Sequence, residues 1–144
     1  MDGVLVEFSI YDDERLRNNT PGIYYNKKPI KYILDMINEI NEIENLDLYI
    51  LSACHYKTQK FEKELWLDKY LSIIENDKRI ILVREEMNLT KEQKKLSKGL
   101  IIKQIMEEKN YDKSFYIDDN HELLRGGVEV LNEKVEVFHV SSML

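Results

Sequence analysis

The sequence contains a single cysteine, Cys54, so no disulfide can form within the chain, and a reducing, cytoplasmic setting is expected. Its 144 residues include no apolar run approaching membrane-spanning length, and the opening residues show no basic region followed by an apolar segment. Neither a membrane nor a secretory route is therefore expected. No Lys/Arg cluster stands free of acids, and the formal net charge is −6, which argues against a nucleic-acid polymer as partner. Neutralising a phosphate backbone takes a basic patch. The most basic stretch, Lys91 to Lys98, reads as a solvated face. Internal repeats, low-complexity segments and interdomain linkers are also lacking, and the length suits one domain, residues 1–144, around one core.

Against these absences stands Ser114 to Asn120, Ser-Phe-Tyr-Ile-Asp-Asp-Asn, a short strand-forming run that ends in two adjacent carboxylates. In open α/β sheets the ligand crevice lies outside the carboxyl ends of the strands, which is where Asp118 and Asp119 would stand. The plainer alternative is a turn that only caps the next helix. Other strands must bring complementary groups to the same edge before the functional reading gains.

The chain opens Met1-Asp2-Gly3, and an Asp-Gly turn there has little before it to turn from. Asn18 to Gly22 is a loop signal, with Tyr24-Tyr25 beyond it. Ile30, Ile33, Leu34, Ile37 and Ile40 fall at helical spacing, with Pro29 suited to a first helical position. Leu46 to Leu51 reads as a buried strand with the Ser52 hydroxyl at its carboxyl end. Thr58 to Ile74 returns to helical period, with Phe61, Leu65, Trp66, Tyr70 and Ile73 or Ile74 as its apolar face. Ile80 to Val83 is a second buried strand, followed by a polar connection. Ser97 then suits the N-cap of a helix with Ile101, Ile102, Ile105 and Met106 on one side, which would make Lys98 its opening residue. After the Phe115 to Ile117 strand, a short helical turn through Leu124 would end at Gly126-Gly127, and Val135 to Val140 would form a last, edge strand. The alternation of strands and helices predicts an α/β fold with a mostly parallel sheet flanked by helices.

At the carboxyl edge of such a sheet the chain offers Asp2, Ser52, Lys98, Asp118 and Asp119. Acid oxygens suit Mg²⁺, and a hydroxyl and an ammonium suit phosphate oxygens. That is the equipment of phosphoryl transfer. Each member alone has an ordinary structural explanation, such as a strand-end cap for Ser52 or an exposed surface lysine for Lys98.

In this order the residues Asp2-Gly3-Val4-Leu5, Ile50-Leu51-Ser52, Lys98 and Tyr116-Ile117-Asp118-Asp119 resemble motifs one to four of the haloacid dehalogenase (HAD) superfamily. Within it, Pro21-Gly22-Ile23-Tyr24, Glu64 to Leu71 and Tyr116 to Asn120 resemble the cytosolic type C group of 5'(3')-deoxyribonucleotidases. The resemblance implies a three-layer Rossmann-like HAD fold with little or no cap domain. It also implies a Mg²⁺-dependent phosphatase of nucleotidase type, acting on a small phosphorylated substrate such as a (deoxy)nucleotide through an aspartyl-phosphate.

Residue by residue, Asp2 matches the second acid of the first motif, which protonates the leaving group and then activates water. Ser52, with Ala53 beside it, matches the phosphoryl-binding position of motif two. Lys98 matches the motif-three lysine, with Lys91, Lys94 and Lys95 as rivals. Asp118 and Asp119 match the Mg²⁺-binding acids, joined by the backbone carbonyl of Asp2. Tyr24 or Tyr25 is a candidate to stack a base.

Met1 occupies the variable position of the first motif, so the nucleophilic Asp and the family's first strand would lie ahead of it. Either Met1 is internal to the natural product, or the chain is a shortened, inactive relative that binds phosphate or a protein; alternatively Val4 to Ile10 supplies a strand. Apolar surface left by a missing first strand would favour a homodimer. A phospho-acceptor receiver domain is set aside, because its lysine comes last whereas Lys98 precedes Asp118. Cys54 beside His55 makes no nucleophile pair; His121 is expected in the turn after Asn120, and His139 in or beside the last strand.

Overall fold

Two β-strand, α-helix, β-strand passages organise the chain, and each closes a parallel two-stranded sheet. They belong to two compact units, Met1–Asn88 and Leu89–Leu144. The computed structural model describes residues 1–9 and 11–143. Among these residues the architecture is mixed α/β, and no helix is long and apolar enough to cross a membrane.

In the first unit, β1 (Ile50–Cys54) pairs in parallel with β2 (Arg79–Val83), and α3 (Lys57–Tyr70) connects them. Two helices precede them, α1 (Asp12–Arg17) and α2 (Lys31–Asn41). The α1 helix has acids in its first turn and arginines in its last, complementing its dipole. Ile33 and Ile37 face the core from α2, one turn apart. Trp66 and Leu67 on α3 are fully buried, and the Trp66 indole N–H donates to the Lys27 carbonyl at 2.8 Å.

Several boundaries differ from the sequence reading for identifiable reasons. The β1 strand continues past Ser52 because Ala53 and Cys54 keep pairing with Leu82 and Val83, so Ser52 lies mid-strand. Pro29 stays outside α2, where Val6 bridges it, and Ile30 takes the N-cap position. Val4 to Ile10 yields no strand among the described residues, and Ile10 lies outside them. Instead Gly3, at φ 65°, turns the chain so that the Met1 carbonyl accepts from the amides of Val4, Leu5 and Val6. The buried Val6 anchors this turn by bridging both Asp2 and Pro29.

In the second unit, β3 (Ser114–Asp118) pairs in parallel with β4 (Val135–His139). The α5 helix (His121–Leu131) connects them, and α4 (Lys91–Lys109) packs on α5. Met106, Tyr116, Leu124, Leu131 and Val135 form the core. Ser97 is not the cap: Thr90 is, its hydroxyl accepting from the Gln93 amide while the Gln93 side chain accepts from the Thr90 amide. That reciprocal box starts the helix two turns earlier, which converts the supposed connection into helix and places Lys98 inside it. Gly126 and Gly127 do not end α5 either. They are contact points, since a Cβ at Gly127 would lie 3.0 Å from the Tyr116 ring, and one at Gly99 of α4 would lie 3.0 Å from the Gly126 carbonyl.

Candidate functional site

The first unit builds a polar cluster on the buried face of α3. Phe61, expected on that face, is 60% exposed, whereas Gln59 and Lys63 point inward with Trp66 and Leu67. Each inward polar group has partners. Gln59 accepts from the His55 and Tyr56 amides and donates to the Leu16 carbonyl, closing the turn after β1. Glu62 accepts from the Gly22 amide at 2.6 Å and the Tyr24 amide at 2.9 Å, pinning the 22–24 loop to α3.

Lys63, at 0% exposure, is the centre of the cluster. Its ammonium donates to Asp2 Oδ2 at 3.0 Å, Ser52 Oγ at 2.9 Å and the Ala53 carbonyl at 2.7 Å, and lies 4.2 Å from the centroid of the Tyr24 ring. Asp2 and Ser52, assigned from different motifs, are thus joined through one cation. Burial pushes the Asp2 carboxyl up, but the Lys63 charge leads a set of opposing influences that hold it below the usual carboxylate range. Asp2 Oδ1 is buried with no hydrogen-bond partner among the described residues.

Tyr24 is only 3% exposed and its hydroxyl donates to Asp2 Oδ2 at 3.3 Å. Its ring is wall rather than a surface on which a base could stack; Tyr25 is the exposed member of the pair. Burial foremost, then the charge of Asp2, raises the Tyr24 phenol well above its ordinary value. The Cys54 thiol, raised chiefly by burial, is directed at the Tyr56 and Leu82 carbonyls.

In the second unit, Asp118 is the last residue of β3 and is buried. Lys98 Nζ donates to its Oδ2 at 2.6 Å, with side-chain exposures of 9% and 6% for the two partners. The Tyr116 hydroxyl donates to the same oxygen at 2.8 Å, and the Asn120 amide to Oδ1 at 2.9 Å. Burial would raise the Asp118 carboxyl, but Lys98 and the two other donors bring it below the ordinary range. The rival lysines lie elsewhere: Lys91 and Lys94 are exposed, and Lys95 pairs with Glu129 at 2.7 Å.

Asp119 takes the opposite shift. Burial, and then the negative charge of Asp118, raise its carboxyl. Asn120 does cap α5, accepting from the Glu122 and Leu123 amides, so the capping reading holds for Asn120 while Asp118 is occupied by Lys98. His121 opens α5 and stacks on His139 with ring centroids 4.2 Å apart. The His139 Nε2 lies 2.9 Å from the Asp119 carbonyl, and its Nδ1 accepts from the Ser141 amide.

No group of three or more His, Cys, Asp or Glu side chains is arranged to hold a metal among the described residues. The acids that are present offer hard oxygens: in the first unit Asp2 Oδ1 is buried without a hydrogen-bond partner among the described residues, and in the second Asp119 is raised beside Asp118. Lys63, Gln59 and Glu62 escaped the sequence reading because charged and amide side chains on a helix are ordinarily solvated. Their signal was spacing, since Gln59, Lys63, Trp66 and Tyr70 recur at helical period. No protein-family model matches the chain, and no curated protein matches it.

Proposed function

We propose that this chain serves phosphomonoester chemistry of the HAD type, as a Mg²⁺-dependent phosphatase acting on a small phosphorylated substrate, a nucleotide by preference. The observation that carries the reading is the buried Lys98–Asp118 pair at the end of β3, with a second, destabilised acid beside it. Burying two charges costs several kcal/mol per ion before pairing offsets it, roughly, and apolar replacements serve stability as well or better. An ion pair buried at a strand's carboxyl end, next to a carboxyl with a perturbed pKa, supports the reading of a functional site there. The same proposal extends to the fold, as the three-layer Rossmann-like arrangement of that superfamily.

Under this reading each residue has a chemical task. The Ser52 hydroxyl donates to a phosphoryl oxygen, and Lys98 offsets the charge that develops on the phosphoryl group. Asp2 would give a proton to the leaving oxygen and regain one from the attacking water, and Asp118 with Asp119 would supply oxygens for Mg²⁺, which when bound offsets phosphate charge.

The test is phosphate release from a panel of nucleoside monophosphates and sugar phosphates by protein isolated from its native source, with its intact mass measured on the same sample. Mg²⁺-dependent release that Asp2→Asn and Asp118→Asn each abolish is the expected result. Phosphate binding without release from any substrate would leave a non-catalytic phosphate-binding module. Absence of both binding and release would overturn the proposal.

A further inference from the structure

We propose that Lys63 is the positioning residue of the phosphate site, a buried ammonium that fixes the Ser52 hydroxyl as a hydrogen-bond donor and holds Asp2 beside it without touching the phosphate itself. The inference rests on the reading of Ser52 as the phosphoryl-binding hydroxyl, and adds a residue that the motif resemblance does not assign.

The argument is one of proton accounting. An ammonium has three N–H bonds and no lone pair, so in each of its contacts it donates. Three oxygens lie in reach of it: Asp2 Oδ2, Ser52 Oγ and the Ala53 carbonyl. Ser52 Oγ must therefore accept from Lys63, and its own hydroxyl proton points away from the ammonium. A phosphoryl oxygen, which can only accept, is the partner that such a hydroxyl suits. The same contact fixes the hydroxyl oxygen in place before any ligand arrives, which lowers the entropy lost on binding.

The surroundings hold the ammonium still. Lys63 is fully buried, the Tyr24 ring lies against it, and the neighbouring Glu62 pins the Gly22 and Tyr24 amides. A Ser–Lys nucleophile pair is the other chemistry that a 2.9 Å contact of this kind could serve, but it needs a neutral amine as base. Here Nζ also faces Asp2 Oδ2 at 3.0 Å and the Ala53 carbonyl at 2.7 Å, acceptors that suit a donor and not a base.

The experiment measures inorganic phosphate binding in the presence of Mg²⁺ by titration calorimetry on the full chain, with thermal midpoints recorded in parallel. Ser52→Ala is expected to weaken binding about tenfold, the loss of one charge-assisted hydrogen bond. Lys63→Arg is expected to lose about as much, because a planar guanidinium cannot reproduce three tetrahedral donations in a closed space, at roughly tenfold again. The double variant should bind no more weakly than the weaker single one, since both changes remove one contact.

Additive losses, or parent affinity in Lys63→Arg, would overturn the role of Lys63 while leaving the phosphate site standing. Failure of the parent chain to bind phosphate would overturn both. Should Lys63→Arg not fold, the double variant Lys63→Gln/Asp2→Asn removes both buried charges together. Undiminished phosphate affinity in that protein overturns the proposal, and a loss of about tenfold supports it.

Discussion

Gly126 lies directly against the backbone of Lys95: a Cβ placed on Gly126 would stand 2.2 Å from the Lys95 carbonyl oxygen. No side chain fits there unless α4 moves away from α5, and α4 carries Lys98 toward Asp118. Gly126→Ala is therefore expected to destabilise the protein by about 3 kcal/mol, the upper part of the overpacking range. Leu100→Ala, at an exposed position on the same helix, should stay within about 0.5 kcal/mol of the parent. Urea midpoints of the two variants make the comparison, and equal midpoints would mean that α4 and α5 do not approach so closely.

The Lys98–Asp118 pair makes a second, sharper stability prediction. Lys98→Met leaves a buried carboxylate without its cation, at a cost of about 3 kcal/mol. Tyr116 and Asn120 still donate to that carboxylate, which keeps the loss at the lower end. Adding Asp118→Asn to Lys98→Met removes the stranded charge, and should restore more than half of the loss. Chemical denaturation of the two variants checks this, and a double variant less stable than Lys98→Met would contradict it.

Much of the framework was legible because strands announce themselves through short apolar runs. Ile80 to Val83 and Phe115 to Ile117 fall inside observed strands, and the carboxylates expected at a strand end do end one. Glycines and lysines misled for physical reasons. A Gly-Gly pair signals either a stop or a close approach, and only the neighbouring helix distinguishes them. The four lysines within Lys91 to Lys98 fall on one face once the segment is helical, so spacing does not tell them apart, and which of them is buried depends on α5 packing beside it. Lys63 was harder still, because a charge at helical spacing among apolar residues is ordinarily exposed, and its partners lie far away in sequence at Asp2 and Ser52.

The start of α4 can be checked at single residues. Thr90→Ala removes both the hydroxyl acceptor and its half of the capping box, and should cost about 1 kcal/mol. Ser97 donates to the Lys94 carbonyl within the helix, so Ser97→Ala should be neutral or slightly stabilising, within about 0.5 kcal/mol. Thermal midpoints that fall for Ser97→Ala and hold for Thr90→Ala would move the helix start back to Ser97.

The Asp12–Lys27 ion pair carries a pH dependence of definite sign. Lys27 Nζ lies 2.6 Å from Asp12 Oδ2, and that oxygen also accepts from the Ser9 amide at 3.0 Å. Burial pushes the Asp12 carboxyl up, but the Lys27 and Ser9 hydrogen bonds and the charges of Lys27 and Arg15 together hold it below the ordinary range. A carboxyl whose pKa is lower folded than unfolded binds fewer protons in the native state. Its contribution is therefore complete above the unfolded value of about 3.9 and is lost as pH falls through the lower, folded one. Asp12→Asn should lower stability near neutral pH and flatten the decline on the acid side, so that parent and variant converge at the lowest pH at which both still fold. Urea midpoints measured between roughly pH 7 and pH 3, across the carboxyl range, test this. A constant difference between the two proteins across that range would show that Asp12 contributes through packing and not through its charge.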